Sequence, residues 1–174
     1  MTKDSFCNYC GGPLPDDGYP KTCLNCKSII WSNPVPVAVC VQPIQDGVRT
    51  GLAIARRNIE PKLGTWCMLG GHVDNNAETI EEAAVREFYE ESGLALGDNP
   101  RITGSHTNGK GHVLVAVEAQ PIPLEVWITA RLCPENSAFD VLWEHDRELG
   151  FVIHQRIAAK WFARRSQLEH RFYS

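Results

Sequence analysis

Large apolar residues are sparse from position 1 to 33, where Gly, Pro and Cys dominate, and the texture changes at Pro34. A segment so poor in apolar side chains needs a metal or covalent staple to hold a core. Beyond it, Val35, Val37, Val39 and Val41 alternate around Ala38 and Cys40, which predicts a largely buried strand. Gln45-Asp46-Gly47 reads as a turn, and Leu52–Ala55 as the returning strand that runs into Arg56 and Arg57. A loop with Pro61 and Gly64 leads to an apolar stretch, Trp66–Leu69, broken by Gly70-Gly71. A helix is expected over Ala77–Ser92, with Asn75 and Glu78 at capping-box spacing and Gly93 as its C-terminal cap. Its apolar stripe would be Ile80, Ala84 and Phe88, with Val85 at its edge. Strands follow over Ile102–Ser105 and Gly111–Ala119 around an Asn108-Gly109 turn, then one over Val126–Leu132. His154–Leu168 closes the pattern as a helix with Ile157, Ala158, Trp161 and Phe162 on one face. This order predicts an α/β fold in which a mixed β-sheet is sandwiched between helices. The expected division is 1–33 for a small cysteine module and 34–174 for the main domain.

Composition changes this picture little. The chain has 174 residues, 43% hydrophobic and 22% charged, with a net charge of -4. That charge gives no general attraction to nucleic acid or to an anionic membrane, so neither is an expected partner. Met1–Cys10 has no apolar secretory core, and no apolar run approaches a bilayer span. A reducing, cytoplasmic location is the expectation.

The cysteines carry more information. Of seven, four form two tight pairs, Cys7 with Cys10 and Cys23 with Cys26, separated by twelve residues. An odd total argues against a disulfide framework. Two such pairs can converge on one tetrahedral metal ion, and soft thiolates suit Zn²⁺. A redox pair or an iron–sulfur site are the other readings. Four thiolates leave no position open for water, so a zinc here would be structural. Cys40, Cys67 and Cys133 lie among apolar residues and read as small buried hydrophobes.

The expected central helix carries the chemistry. Glu87, Glu90 and Glu91 stand at i, i+3 and i+4 and so share one helix face. Such carboxylates repel one another, and alone they read as a solvated acidic face. A hard divalent cation would turn the repulsion into attraction. Arg86 is placed to pair with Glu82 or Glu90, and Gly70-Gly71 permits a close backbone approach.

The residues Glu78, then Arg86-Glu87-Phe88-Tyr89-Glu90-Glu91-Ser92-Gly93-Leu94, resemble the Nudix box at every specified position. Two departures precede them. Six residues rather than five separate Gly71 from Glu78, and Ala77 stands where that family usually has glycine. Leu69 replaces a frequent proline. The resemblance implies a Nudix-type fold behind a small zinc ribbon, and hydrolysis of a diphosphate with Mg²⁺ or Mn²⁺. It implies Glu87, Glu90 and Glu91 as metal carboxylates, the Gly71 carbonyl as a further ligand, and Arg86 and Glu78 as orienting groups. Glu91 is the candidate base inside the box; Glu135 and Glu144 are candidates outside it.

Phe6-Cys7, the second cysteine pair, and Asn33-Pro34 entering the valine strand are similar to the zinc-ribbon branch of Nudix hydrolases. That branch includes NADH pyrophosphatase-like proteins and plant FAD/ADP-ribose pyrophosphatases. The aromatic and proline array of the former is replaced here by Gly104–Gly109. An ADP-containing small molecule, of FAD or ADP-ribose type, is therefore the expected substrate. NAD(H), an RNA 5′ cap and a non-catalytic nucleotide sensor are alternatives. Arg56 and Arg57 could bind phosphate, and Trp66 could stack a ring. His72 is expected in solvent, and His154 in a structural role. A homodimer is compatible with relatives of this branch.

Overall fold

The computed structural model describes residues 5–16, 18–74, 77–144 and 146–172, the last five by backbone alone. The chain divides into two compact units, Met1–Pro34 and Val35–Ser174.

Among the described residues of the first unit, β1 (Lys21–Thr22) and β2 (Ile29–Ile30) pair antiparallel, and Phe6 bridges Pro13. Its core is minimal: Cys7, Cys23 and Ile30, with Leu14 packed against them.

The second unit holds two sheets. Its strands in chain order are β3 (Val35–Val41), β4 (Pro43–Asp46), β5 (Arg49–Arg57), β6 (Trp66–Cys67), β7 (Gly70–His72), β8 (Arg101–Thr107), β9 (His112–Glu118), β10 (Ile122–Pro123) and β11 (Asn136–Leu142). The helices are α1 (Ile80–Ser92), α2 (Leu124–Trp127) and α3 (Val152–Phe172). One sheet has the order β7-β3-β9-β8; the other runs β10-β4-β5-β11, with β6 also paired to β5. β3 pairs parallel with β9 and antiparallel with β7, so the sheet is mixed as the sequence pattern predicts.

Alternation along the strands makes two cores. On β3, Ala38 and Cys40 join the cluster containing Phe88 of α1, while Val39 and Val41 join the cluster containing Trp161 of α3. On β5, Ala53 and Ala55 go one way and Leu52 and Ile54 the other. On β3 and β5 the small residues thus face α1, which adds its own Ala83 and Ala84, and the larger ones face α3. Small residues let α1 lie close to the sheet, so its polar edge meets strand backbone directly.

Several expectations need correction. α1 begins at Ile80 with Thr79 as its cap. Thr79 accepts from the Glu82 N–H and the Glu82 carboxylate accepts from the Thr79 N–H, a complete capping box. The predicted cap Asn75 lies outside the described residues. Gly93 does cap the C-terminus, at φ 70°. Val85 is exposed rather than part of the stripe, and Ala83 is buried in its place. Gly70 and Gly71 do not break the chain's regular structure; they form β7. The strand expected over Val126–Leu132 is instead α2 and a turn. Val126, Ile128 and Thr129 suggested a strand by propensity, but Trp127 is the buried residue and gives the segment its helical turn. The strand lies further on, as β11, whose polar Asn136, Ser137 and Asp140 hid its alternation. The terminal helix extends beyond both expected ends.

His154 is buried at the start of α3, where its Nδ1 accepts from the Met68 N–H at 3.1 Å. Burial lowers its pKa to about 4, with the nearby Arg57 charge adding to the effect. The unfolded chain therefore takes up a proton near pH 6.5 that the folded chain refuses until about pH 4. Stability from this group is complete above pH 6.5 and falls as pH drops through that window. His154→Asn retains a hydrogen-bond acceptor without the titration. The difference in unfolding free energy between native chain and variant, from urea melts, should move against the native chain between pH 6.5 and 4. The loss should reach on the order of 3 kcal/mol.

Candidate active site and thiolate cluster

Arg86 sits at the centre of the carboxylate array on α1. Its Nε and Nη2 donate to the two oxygens of Glu78 at 3.1 and 2.8 Å. Nη2 also donates to the His72 carbonyl at 2.9 Å. Nη1 donates to Glu87 at 2.8 Å and Glu90 at 3.2 Å. One planar guanidinium thus ties the helix to β7 and to the loop before the helix, a geometry lysine cannot supply. Glu78, not Glu82, is its main partner, because Glu82 is committed to the cap. Glu78 also accepts from the Asp74 N–H, so the longer loop still delivers its carboxylate to Arg86.

Glu87 lies against β7. A Cβ on Gly71 would come within 2.4 Å of the Glu87 carboxylate, so any larger residue there would displace that carboxylate from β7. Glu91 is held differently. One oxygen accepts from the Gly70 N–H at 3.2 Å and the other from Asn136 Nδ2 at 3.2 Å. Asn136 is buried, and its Nδ2 also lies 3.5 Å from Cys133 Sγ. Sequence reading missed Asn136 because it missed β11; the Pro134-Glu135-Asn136 turn signal before an alternating Ala138–Leu142 run was the available clue.

The electrostatics follow from this crowding. Burial raises the pKa of Glu91 to about 7, against the hydrogen bonds from Asn136 and Gly70, and the charges of Glu87 and Glu135 raise it further. Burial also raises Glu87, opposed by Arg86 and reinforced by Glu90 and Glu135. Negative charge is costly here, and all the donors are hard oxygens, which fits a divalent cation such as Mg²⁺. Glu135 lies within electrostatic reach of both glutamates. Glu144 lies beyond the other end of β11, about 20 Å of strand away. Of the two outer base candidates, only Glu135 approaches the array.

The other predicted residues are more dispersed. Arg56 donates through Nε to the Gly64 carbonyl at 2.9 Å, and Arg57 to the Pro61 carbonyl at 2.8 Å. Both close the loop after β5, and Arg57 is the register partner of Asn136. Trp66 is half-buried, with the Arg147 guanidinium 5.0 Å over its ring. His72 is exposed, 5.9 Å from the His112 ring. Cys40 and Cys67 are buried, while Cys133 is only partly so.

In the first unit the four cysteines converge. Cys7 and Cys26 have their sulfurs 3.6 Å apart, as do Cys10 and Cys23, and all four lie within 4.8 Å of one another. A tetrahedron of Zn–S bonds of about 2.3 Å has edges near 3.8 Å, so this donor set fits Zn²⁺ in size and chemistry. Each knuckle turns the same way. The Gly11 N–H returns to the Cys7 carbonyl and the Lys27 N–H to the Cys23 carbonyl, at 2.8 and 3.0 Å. Gly11 and Lys27, each just after a second cysteine, both have positive φ, at 71° and 64°. Hydrogen bonds from the Ser28 hydroxyl and N–H lower Cys26 to about pKa 6, favouring the thiolate a metal requires.

The NUDIX domain model matches residues 34–149. The chain belongs to the NUDIX family. Its fold and its intact box carboxylates are those of a NUDIX domain. The NAD-capped RNA hydrolase NudC of Salmonella agona is 28% identical over 100 residues, covering 56% of this chain and 37% of that protein. The NudC of Edwardsiella ictaluri is 30% identical over 93 residues, covering 52% and 34%. These matches span about a third of the relatives' length. Among solved structures, a NUDIX hydrolase from Nitrosomonas europaea superposes with a TM-score of 0.71 at 20% identity, covering 94% of this chain and 93% of that one. The NUDIX domain of Shewanella oneidensis NrtR, solved with ADP ribose, gives 0.64 at 15% identity over 75% and 88%. At these identities the structures establish the fold alone. No helix among the described residues is long and apolar enough to cross a membrane.

Two outcomes are expected. The purified chain should release close to one zinc per molecule when its thiols are titrated with a mercurial in the presence of a metallochromic dye, and Cys23→Ser should release far less. Ala77, at the family's glycine position, has φ 63°. Ala77→Gly removes about 1–2 kcal/mol of left-handed strain but adds about 0.4–1 of unfolded-state entropy. The variant should be more stable by roughly 0.5–1 kcal/mol in urea melts.

Proposed function

We propose that this chain hydrolyses the diphosphate of an ADP-containing nucleotide derivative, of FAD or ADP-ribose type, to AMP and a second phosphorylated product. The observation that carries this reading is the carboxylate array, in which Arg86 holds Glu87 and Glu90, Glu87 lies against the Gly71 backbone, and Glu91 is held by the Gly70 N–H and Asn136. Mg²⁺ or Mn²⁺ held by these carboxylates and the Gly71 carbonyl would neutralise the diphosphate and acidify a water. Arg86 and Glu78 orient the array. Glu91, whose pKa burial raises to about 7, is the base proposed within the box, and Glu135 the one outside it. Arg56 and Arg57 are proposed to meet the phosphates, and Trp66 a ring, with Arg147 moving off its face.

A second reading, NAD(H) or NAD-capped RNA, is supported by the matched relatives, which are NAD-capped RNA hydrolases. FAD, ADP-ribose and NAD share the ADP half, so one adenosine-side site would serve all three. A nucleotide-sensing module without turnover is disfavoured by the complete carboxylate set. We assign Zn²⁺ a structural role in a ribbon of residues 1–33, with the hydrolase domain at 34–174. A reducing, cytoplasmic compartment would keep its thiolates competent for metal.

Product release should be assayed from FAD, ADP-ribose, NADH, NAD and NAD-capped RNA with Mg²⁺ or Mn²⁺. Glu90→Gln and Glu91→Gln should each lower kcat by at least about 100-fold on the best substrate. Tight nucleotide binding with no turnover on any member would defeat the enzyme reading and favour the sensor.

A further inference from the structure

A basic track runs along α3, away from the carboxylate array. Residues 152–167 contain Arg156, Lys160, Arg164 and Arg165 and no Asp or Glu, in a chain with 21 acidic and 17 basic residues. Arg156, Lys160 and Arg164 are spaced i, i+4 and i+8, so they line one side of the helix at intervals of about 6 Å. The helix dipole does not account for them, because Arg156 and Lys160 lie well before its last turn. Arg156 and Lys160 are exposed, and neither has an acidic partner among the described residues.

Thr103, Gly104 and His106 of the edge strand β8 form a shallow groove with Lys160, Trp161 and Arg164, and Val41, Ala116 and Ile157 complete its lining. Glu118 accepts from Arg164 Nη2 at 2.8 Å and from Trp161 Nε1 at 2.9 Å. Arg164 Nε remains buried without a hydrogen-bond partner, the only such side-chain atom among the described residues. The other end of the track lies near the array: Arg57, register partner of Asn136, stacks over Phe151 at 5.3 Å, one residue before α3 begins.

We propose that the groove between α3 and β8 binds the sugar–phosphate backbone of single-stranded RNA through Arg156, Lys160 and Arg164, leading a 5′-linked dinucleotide diphosphate to the carboxylate helix. This deepens the second reading above and rests on it for the direction of the strand. A bilayer is a poorer occupant, because the apolar residues beside the track, Ile157 and Trp161, are buried. Cations at successive helical turns instead suit an extended polyanion.

The test uses the full chain and a fluorescein-labelled 12-nucleotide single-stranded RNA without a cap, followed by anisotropy from low to moderate salt. The native chain should bind with steep salt dependence. Arg156→Ala with Lys160→Ala should bind at least about tenfold more weakly, with the log–log salt slope reduced by about 1.4. Hydrolysis of free dinucleotides should be unchanged, while kcat/KM on capped RNA falls. The thermal midpoint reports that the variant is folded, since both positions are exposed. RNA binding that is absent, or untouched by the double substitution, would overturn the inference. So would loss of binding to phosphatidylserine vesicles with no RNA binding by the native chain. If the native chain hydrolyses no dinucleotide yet loses RNA binding on substitution, the enzymatic reading fails and the RNA track stands.

Discussion

The arrangement of the site depends on one guanidinium. Three glutamates on one helix face, with a fourth from the preceding loop, would repel one another and splay into solvent. Arg86 prevents this by spending its donors on Glu78, Glu87, Glu90 and the His72 carbonyl. Because it is planar and always charged, it fixes directions as well as distances. It also joins three segments: the helix, β7 and the loop before the helix. Ala77, just before Glu78, has φ 63°, and Glu78 still reaches Arg86.

The same contact requires α1 to lie close to the sheet. Ala38, Cys40, Ala53 and Ala55 on the strands meet Ala83 and Ala84 on the helix. Larger side chains on that face would lift the helix and pull Glu87 from the Gly71 backbone. The bulk needed for stability is carried on the opposite face, where Leu52, Ile54, Trp161 and Phe162 pack beneath α3. α3 is therefore both the main anchor of the second core and the carrier of a basic edge, on which Arg156 and Lys160 have no acidic partner among the described residues. The division lets the chain combine an acidic face with a basic one despite its net negative charge.

In the first unit a core of three buried residues and one partly buried neighbour is too small to hold alone. Convergence of four sulfurs within a tetrahedron's dimensions supplies what packing cannot.

What the sequence determined by itself was everything encoded in local spacing. The carboxylates at i, i+3 and i+4, the Gly93 cap, the two cysteine pairs and the alternation of β3 are properties of short segments, and short-range geometry makes them legible. The cap at Thr79 was equally local, but a competing Asn75–Glu78 spacing masked it. Only the tertiary structure decided which distant groups complete the array. Gly70 and Gly71 read as a break until pairing with β3 made them a strand, because hydrogen-bond partners are not visible in a run of glycines. Asn136 became a ligand of Glu91 only when β11 docked beside β5, and the same docking put Glu135 at the array and Glu144 at the far end. Strand pairing is a long-range choice made by burial, and the polar Asn136, Ser137 and Asp140 left only the preceding turn as a local clue to it.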